Sequence, residues 1–148
     1  METKASGEIE TEKRKRVVLA QLDNLFFAAK INQATEMAGF EAVYAKNADQ
    51  GLEKALATIP KLIIVDLNST TGSPFVLLKG LKSDERLKDI PVLGFVSHVN
   101  VELQEQARAA GCDRIMARSV FEQGLIRLLN EMKKDYEINE YNETDEIA

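Results

Sequence analysis

The sequence predicts an α/β domain in which five parallel strands are covered by helices on both faces. Three observations carry this expectation. Strand-length apolar runs alternate with amphipathic helix-length segments all the way from Val17 to Lys134, and strict alternation implies a parallel sheet joined by right-handed crossovers. The run Leu62-Ile63-Ile64-Val65 is apolar at every position, as a strand buried on both sides requires. It ends on Asp66, and open α/β sheets place ligands and chemistry at the carboxyl ends of their strands.

Each element follows from local chemistry. Val17-Val18-Leu19-Ala20 reads as the first strand. Asp23 or Asn24 then opens a helix, with Phe27, Ile31, Ala34 and Ala38 on one face, and Gly39 closes it as a left-handed cap. Glu41–Lys46 is a second, weaker strand. Asn47 with Gln50 has capping-box spacing, Leu52, Ala55, Leu56 and Ile59 line the next helix, and Pro60 stops it. The third strand carries Asp66. Ser73-Pro74 supplies an N-cap and a first-turn proline to a third helix whose interior Gly80 costs about 1 kcal/mol against alanine. Ile90–Val96 is the fourth strand. Asn100 opens the fourth helix, with Leu103, Ala107 and Ala110 on one side and Gly111 at its end. Arg114–Ala117 is the fifth strand. Ser119 with Glu122 predicts a capping box for a last helix striped by Leu125, Leu128, Leu129 and Met132.

Charge divides the chain into three parts. Residues 1–16 hold five basic and four acidic side chains and read as a disordered polar leader. Residues 17–134, the folded domain, hold fourteen of each sign, and residues 135–148 hold six acids and no base, which reads as a disordered acidic tail. A neutral domain with an acidic end has no field to attract nucleic acid. The single cysteine, Cys112, excludes an internal disulfide and a Cys-based zinc cage. No apolar run is long enough to cross a bilayer, and the amino-terminal residues lack the apolar segment of a signal peptide. A cytoplasmic protein is the expectation.

At Leu19-Ala-Gln-Leu-Asp23-Asn24, Ile63-Ile-Val-Asp66-Leu-Asn68, Ile90-Pro-Val-Leu93 and Ala109-Ala-Gly111 the chain resembles the response-regulator receiver domains, the CheY-like family. Gly39 lies sixteen positions after Asp23 and Arg118 seven after Gly111, both in the family register. The resemblance covers residues 16–132. It implies a flavodoxin-like (βα)5 three-layer sandwich with sheet order 2-1-3-4-5. It also implies that Asp66 is the phosphoacceptor, and that Asp23, Asp66 and the backbone carbonyl of Asn68 hold Mg²⁺. Two carboxylates, a carbonyl and phosphoryl oxygens are a reasonable set for an ion that wants six oxygens.

Several positions depart from the family. The first acidic position is Leu22. A carboxylate about 6 Å from a divalent ion is worth roughly 1–5 kcal/mol, depending on the effective dielectric, so its replacement weakens Mg²⁺ binding by about tenfold or more. The hydroxyl position that reads the phosphate is Val96, and neighbouring Ser97 faces the other way on a regular strand. The lysine position is Arg118, which keeps the charge in a planar fork. Ser119 replaces the proline, so the preceding peptide is expected to be trans. Ile115 occupies the aromatic switch position.

Two readings of function stay open. In the first, the chain is a stand-alone receiver of a two-component phosphorelay: it accepts phosphate on Asp66 from a histidine kinase and signals through protein contact, with at most slow self-catalysed phosphoryl transfer and no enzymatic turnover of its own. In the second it is a pseudo-receiver, a phosphorylation-independent interaction module. A homodimer is compatible with either. A nucleotide- or flavin-binding enzyme is disfavoured because the turn after the first strand, Gln21–Phe26, has no glycine to admit a phosphate. In a metal-free pocket Arg118 is expected to ion-pair with Asp66 or Asp23. Phe26 and Phe27 read as core, Cys112 as a small semi-buried filler, and His98, the only histidine, as an exposed loop residue without chemistry. Lys13–Arg16 reads as a solvated flank.

Overall fold

A computed structural model describes residues 16–97 and 100–147. The order is β1 (Val17–Gln21), α1 (Leu25–Ala38), β2 (Glu41–Ala45), α2 (Ala48–Thr58), β3 (Leu62–Asp66), α3 (Pro74–Ser83), β4 (Val92–Val96), α4 (Val101–Ala109), β5 (Arg114–Ala117) and α5 (Arg118–Ile147). All strand pairs are parallel and the sheet order is β2-β1-β3-β4-β5. This is the expected flavodoxin-like architecture. The leader up to residue 15 and His98 lie outside the described residues.

Strand alternation sends side chains into two separate layers. Leu19, Ile63, Val65, Val92 and Val96 face α2, α3 and α4, where Ala55, Leu77, Leu78, Leu81 and Ala107 complete a core. Val18, Ala20, Leu62, Ile64, Leu93 and Phe95 face α1 and α5, against Phe27, Ile31, Phe121, Leu125 and Leu129. β3 is central and buried on both faces, which accounts for its unbroken apolar run.

Helix starts follow the asparagines. The Oδ1 atoms of Asn24, Asn47 and Asn100 accept the backbone N–H of Phe27, Gln50 and Leu103 at 3.0, 2.9 and 3.0 Å, the standard capping bond. Two expected caps differ. Ser73 is left-handed (φ 53°) and makes no side-chain cap bond, so Pro74 alone fits the start of α3. Ser119 lies inside α5, because β5 runs straight into the helix at Arg118 with no loop between them, and Glu122 binds other side chains instead of capping. The described peptide bonds include no cis bond, so the bond before Ser119 is trans as expected.

The buried stripe of α2 is Ala48, Gly51 and Ala55, whereas Leu56 and Ile59 are exposed. Small residues face α3 because the two helices run close together. A Cβ on Gly51 would lie 2.9 Å from Leu77 Cδ1, and one on Gly80 would lie 2.8 Å from Leu52 Cδ1. The helix-propensity cost of Gly80 is thus offset by a close helix contact. Phe27 is core, but Phe26 is 84% exposed. Finally, α5 continues through the segment expected to be a disordered tail. No Gly or Pro occurs between Leu125 and Ile147 to interrupt it. Among the described residues, no helix is long and apolar enough to cross a membrane.

Candidate functional site

β1 and β3 are adjacent and parallel, with Gln21 level with Val65. The chain therefore leaves both strands at one edge, and Asp23 and Asp66 emerge together there. Asp66 is the last residue of β3 and is half-buried. Its Oδ1 accepts the Asn68 backbone N–H at 3.0 Å. Burial pushes its pKa above the ordinary carboxylate value. The Asn68 N–H opposes that rise, the Asp23 carboxylate adds to it, and the Arg118 guanidinium opposes it. Residues far apart in the chain thus act on one carboxyl group.

Asn68 does more than was read from the sequence. Its side-chain Oδ1 accepts the Ser97 backbone N–H at 2.6 Å, which ties the loop after β3 to the end of β4. Ser97 is exposed, whereas Val96 is buried in the α2–α4 layer. Leu22 is only 5% exposed and belongs to the α1–α5 layer. Its N–H donates to Ala45 O at 3.2 Å.

Asp23 is exposed, and its Oδ2 accepts the Thr71 hydroxyl at 3.3 Å. Thr71 is held there by a residue the sequence reading passed over. Gln21, 1% exposed at the end of β1, donates from Nε2 to the carbonyl of Gly72. Gly72 N–H in turn donates to Ser69 Oγ at 2.9 Å. A Cβ at Gly72 would lie 2.5 Å from Gln21 Nε2, 2.6 Å from Ser69 Oγ and 3.2 Å from Lys46 O, so the loop needs glycine here. The available signal was a glutamine closing an otherwise apolar buried strand.

Arg118 departs from expectation. It does not ion-pair with Asp66 or Asp23. Its Nε donates to Glu122 Oε2 at 3.1 Å, one helical turn on, and its guanidinium carbon sits 4.4 Å from the centre of the Phe27 ring. Phe27 meets Phe95 and Phe121 edge-on at 4.6 and 5.5 Å between ring centres. Buried rings thus form a platform for the cation, and stacking on an aromatic face stabilises a guanidinium. Lys30 Nζ also reaches Glu122, on Oε1 at 2.7 Å. Lys30 and then Arg118 hold the Glu122 carboxyl below its usual range.

The described residues contain no cluster of three or more His, Cys, Asp or Glu side chains that could hold a metal ion. The two acidic side chains at this edge, Asp23 and Asp66, are oxygen donors, and the side chains that touch them directly bring a hydroxyl rather than imidazole or thiol. That donor set suits a hard cation such as Mg²⁺, which takes one or two carboxylates and keeps several waters. Around the crevice the first turns of four helices carry exposed apolar side chains: Leu25 and Phe26 on α1, Val76 on α3, Val101 on α4 and Val120 on α5.

No family model matches the chain. In sequence it is 27% identical over 85 residues to the polar-differentiation response regulator DivK of Brucella anthropi, a match spanning 57% of this chain and 69% of that protein. In structure it resembles the chemotaxis protein CheY4 of Vibrio cholerae (TM-score 0.70, 21% identity, 79% of this chain and 98% of the other). It also resembles the receiver domain of the sensor histidine kinase PA1611 of Pseudomonas aeruginosa, which has a magnesium ion coordinated in its active-site cleft (TM-score 0.69, 15% identity, 79% and 96%).

Proposed function

We infer that this chain, a response-regulator receiver domain of the two-component type by its fold and its sequence likeness, takes a phosphoryl group on Asp66 from a histidine kinase or relay partner in the cytoplasm. It then passes the signal on by protein contact. Its role is signalling, with no turnover of a small-molecule substrate. One observation carries the reading: a half-buried carboxylate closes the central strand, and the Asp23 carboxylate and the Arg118 guanidinium both act on it.

In the transfer, an Asp66 oxygen forms a bond to phosphorus as the bond from phosphorus to the donor's imidazole nitrogen breaks. The bonding electron pair stays with the nitrogen, which takes up a proton. Asp23, Asp66 and the Asn68 carbonyl would hold Mg²⁺, which when bound offsets negative charge on the phosphoryl oxygens. The chain's own residues supply position. The Asn68 N–H fixes the Asp66 rotamer, and the Gln21–Gly72 bond fixes the loop whose Thr71 orients Asp23. The exposed apolar first turns suit a protein partner arriving over the crevice.

A second reading, the phosphorylation-independent pseudo-receiver, draws on two specific observations: Leu22 and Val96 are buried in the core, and Arg118 is held by Glu122. Addition of acetyl phosphate or beryllofluoride with Mg²⁺ separates the two. Saturable amide shifts around Asp66, absent from Asp66→Asn, are expected for the receiver. No response at high Mg²⁺ would establish the pseudo-receiver in its place.

A further inference from the structure

Arg118 is near enough to act on the Asp66 carboxyl, yet its hydrogen bond and its ring contact lead away from it. Its Nε is used by Glu122 and its plane rests on Phe27. Glu122 meanwhile divides its two oxygens between two cations, Oε2 to Arg118 and Oε1 to Lys30 of α1. One carboxylate on α5 therefore links the crevice side of that helix to the outer edge of α1. Glu122 and Lys30 also line the groove between α1 and α5, together with Gln33, Met37 and Ile126.

We propose that Glu122 is a positioning residue that controls whether Arg118 reaches Asp66. In the resting protein Glu122 holds the guanidinium on the Phe27 platform. A phosphoryl group on Asp66 then draws Arg118 off Glu122, leaves Glu122 to Lys30 alone and alters the α1–α5 groove. The inference rests on the phosphoacceptor reading above.

The competition has a definite direction. Glu122 carries one negative charge, already shared with Lys30. A phosphorylated Asp66 presents a dianionic group with three strong acceptor oxygens, and arginine binds such a group through its fork. Unmodified Asp66 is a single half-buried carboxyl with one oxygen committed to Asn68, and so is a weaker competitor. The exchange is therefore coupled to the charge at residue 66. It reaches α1 because Lys30 loses its rival for Glu122.

The test uses the full chain with beryllofluoride and Mg²⁺ as the phosphoryl mimic, and follows the Arg118 Nε–H signal by NMR. In wild type that proton is protected in the free protein and its signal moves on saturation. Glu122→Gln should show the displaced signal before any addition and bind beryllofluoride about tenfold more tightly. Lys30→Met should act the opposite way, because Glu122 then serves Arg118 alone, and weaken binding several-fold. A merely structural disturbance would shift both variants in the same direction. Should beryllofluoride move the amides around Asp66 while the Arg118 signal stays put, or both variants bind like wild type, the positioning role is overturned and the receiver reading survives. Should those amides not respond in wild type or in Glu122→Gln, the phosphoacceptor reading itself fails, and the inference with it.

Discussion

Leu22→Asp places a carboxylate beside the crevice at a position that belongs to the core, so it should cost stability without metal and regain part of that loss when Mg²⁺ binds. Leu22 is 5% exposed and packs with the α1–α5 layer. Burying a leucine contributes about 1.5–3 kcal/mol, and seating a charge in its place adds a desolvation cost, so the variant should lose roughly 2–4 kcal/mol of stability without metal. The backbone at this position stays tied through Leu22 N–H to Ala45, so the loss is a side-chain effect. A third carboxylate near Asp23 and Asp66 should raise Mg²⁺ affinity about tenfold. At Mg²⁺ about ten times its dissociation constant, binding returns about 1.4 kcal/mol. Urea unfolding of both proteins, with and without Mg²⁺, reads both terms. The variant should start well below wild type and recover by about 1–2 kcal/mol on adding metal, while wild type moves less. A variant as stable as wild type without Mg²⁺ would refute the packing of Leu22. A destabilised variant that ignores Mg²⁺ would refute the convergence of these oxygens on one ion.

Three further outcomes are expected. Because burial raises the folded pKa of Asp66, the folded form keeps its proton over a window where the unfolded chain has lost it. The stability tied to this group is full below the unfolded pKa and is lost as pH rises through the folded one. Asp66→Asn, which retains an acceptor for the Asn68 N–H, should therefore be more stable than wild type at neutral pH. The gap should close as pH falls through that window, and urea midpoints across the pH range check it. Gly72→Ala should cost about 1–3 kcal/mol by crowding Gln21, Ser69 and Lys46, and faster exchange of the Gly72 amide would report the loosened loop. Cys112 is buried and its thiol is pushed up to about 11, so maleimide should modify it slowly in the native protein and quickly in urea. Rapid native labelling would contradict that burial.

The fold was legible because the apolar periods agree with the capping chemistry. β3 read as central because a run without polar alternation has to be covered on both sides, and Asn47 and Asn100 marked two helix starts, while the choice between Asp23 and Asn24 fell to Asn24 only in the structure. Ser73 and Ser119 misled for a shared reason. A hydroxyl in the right place caps a helix only when the backbone entering the helix is extended there, and backbone direction depends on neighbouring elements. At the site, the approach of Asp23 to Asp66 followed from parallel strand order. The partner of Arg118 did not, because Glu122 lies on the same helix and competes with carboxylates that are remote in sequence but near in space. Gln21 was hidden for a related reason: its role depends on Gly72, fifty-one positions away. The tail reads as solvated coil because it holds six acids and no base, while nothing in that stretch breaks the helix that begins upstream.

Leu22 and Val96 belong to opposite sides of the sheet. Substitutions that share no packing partners contribute independently, so a polar side chain introduced at one of these positions could not be accommodated by repacking around the other. Introducing an acid at one and a hydroxyl at the other would unsettle two interiors at once, and the penalties would sum. Adding both groups beside the crevice therefore requires spare stability first.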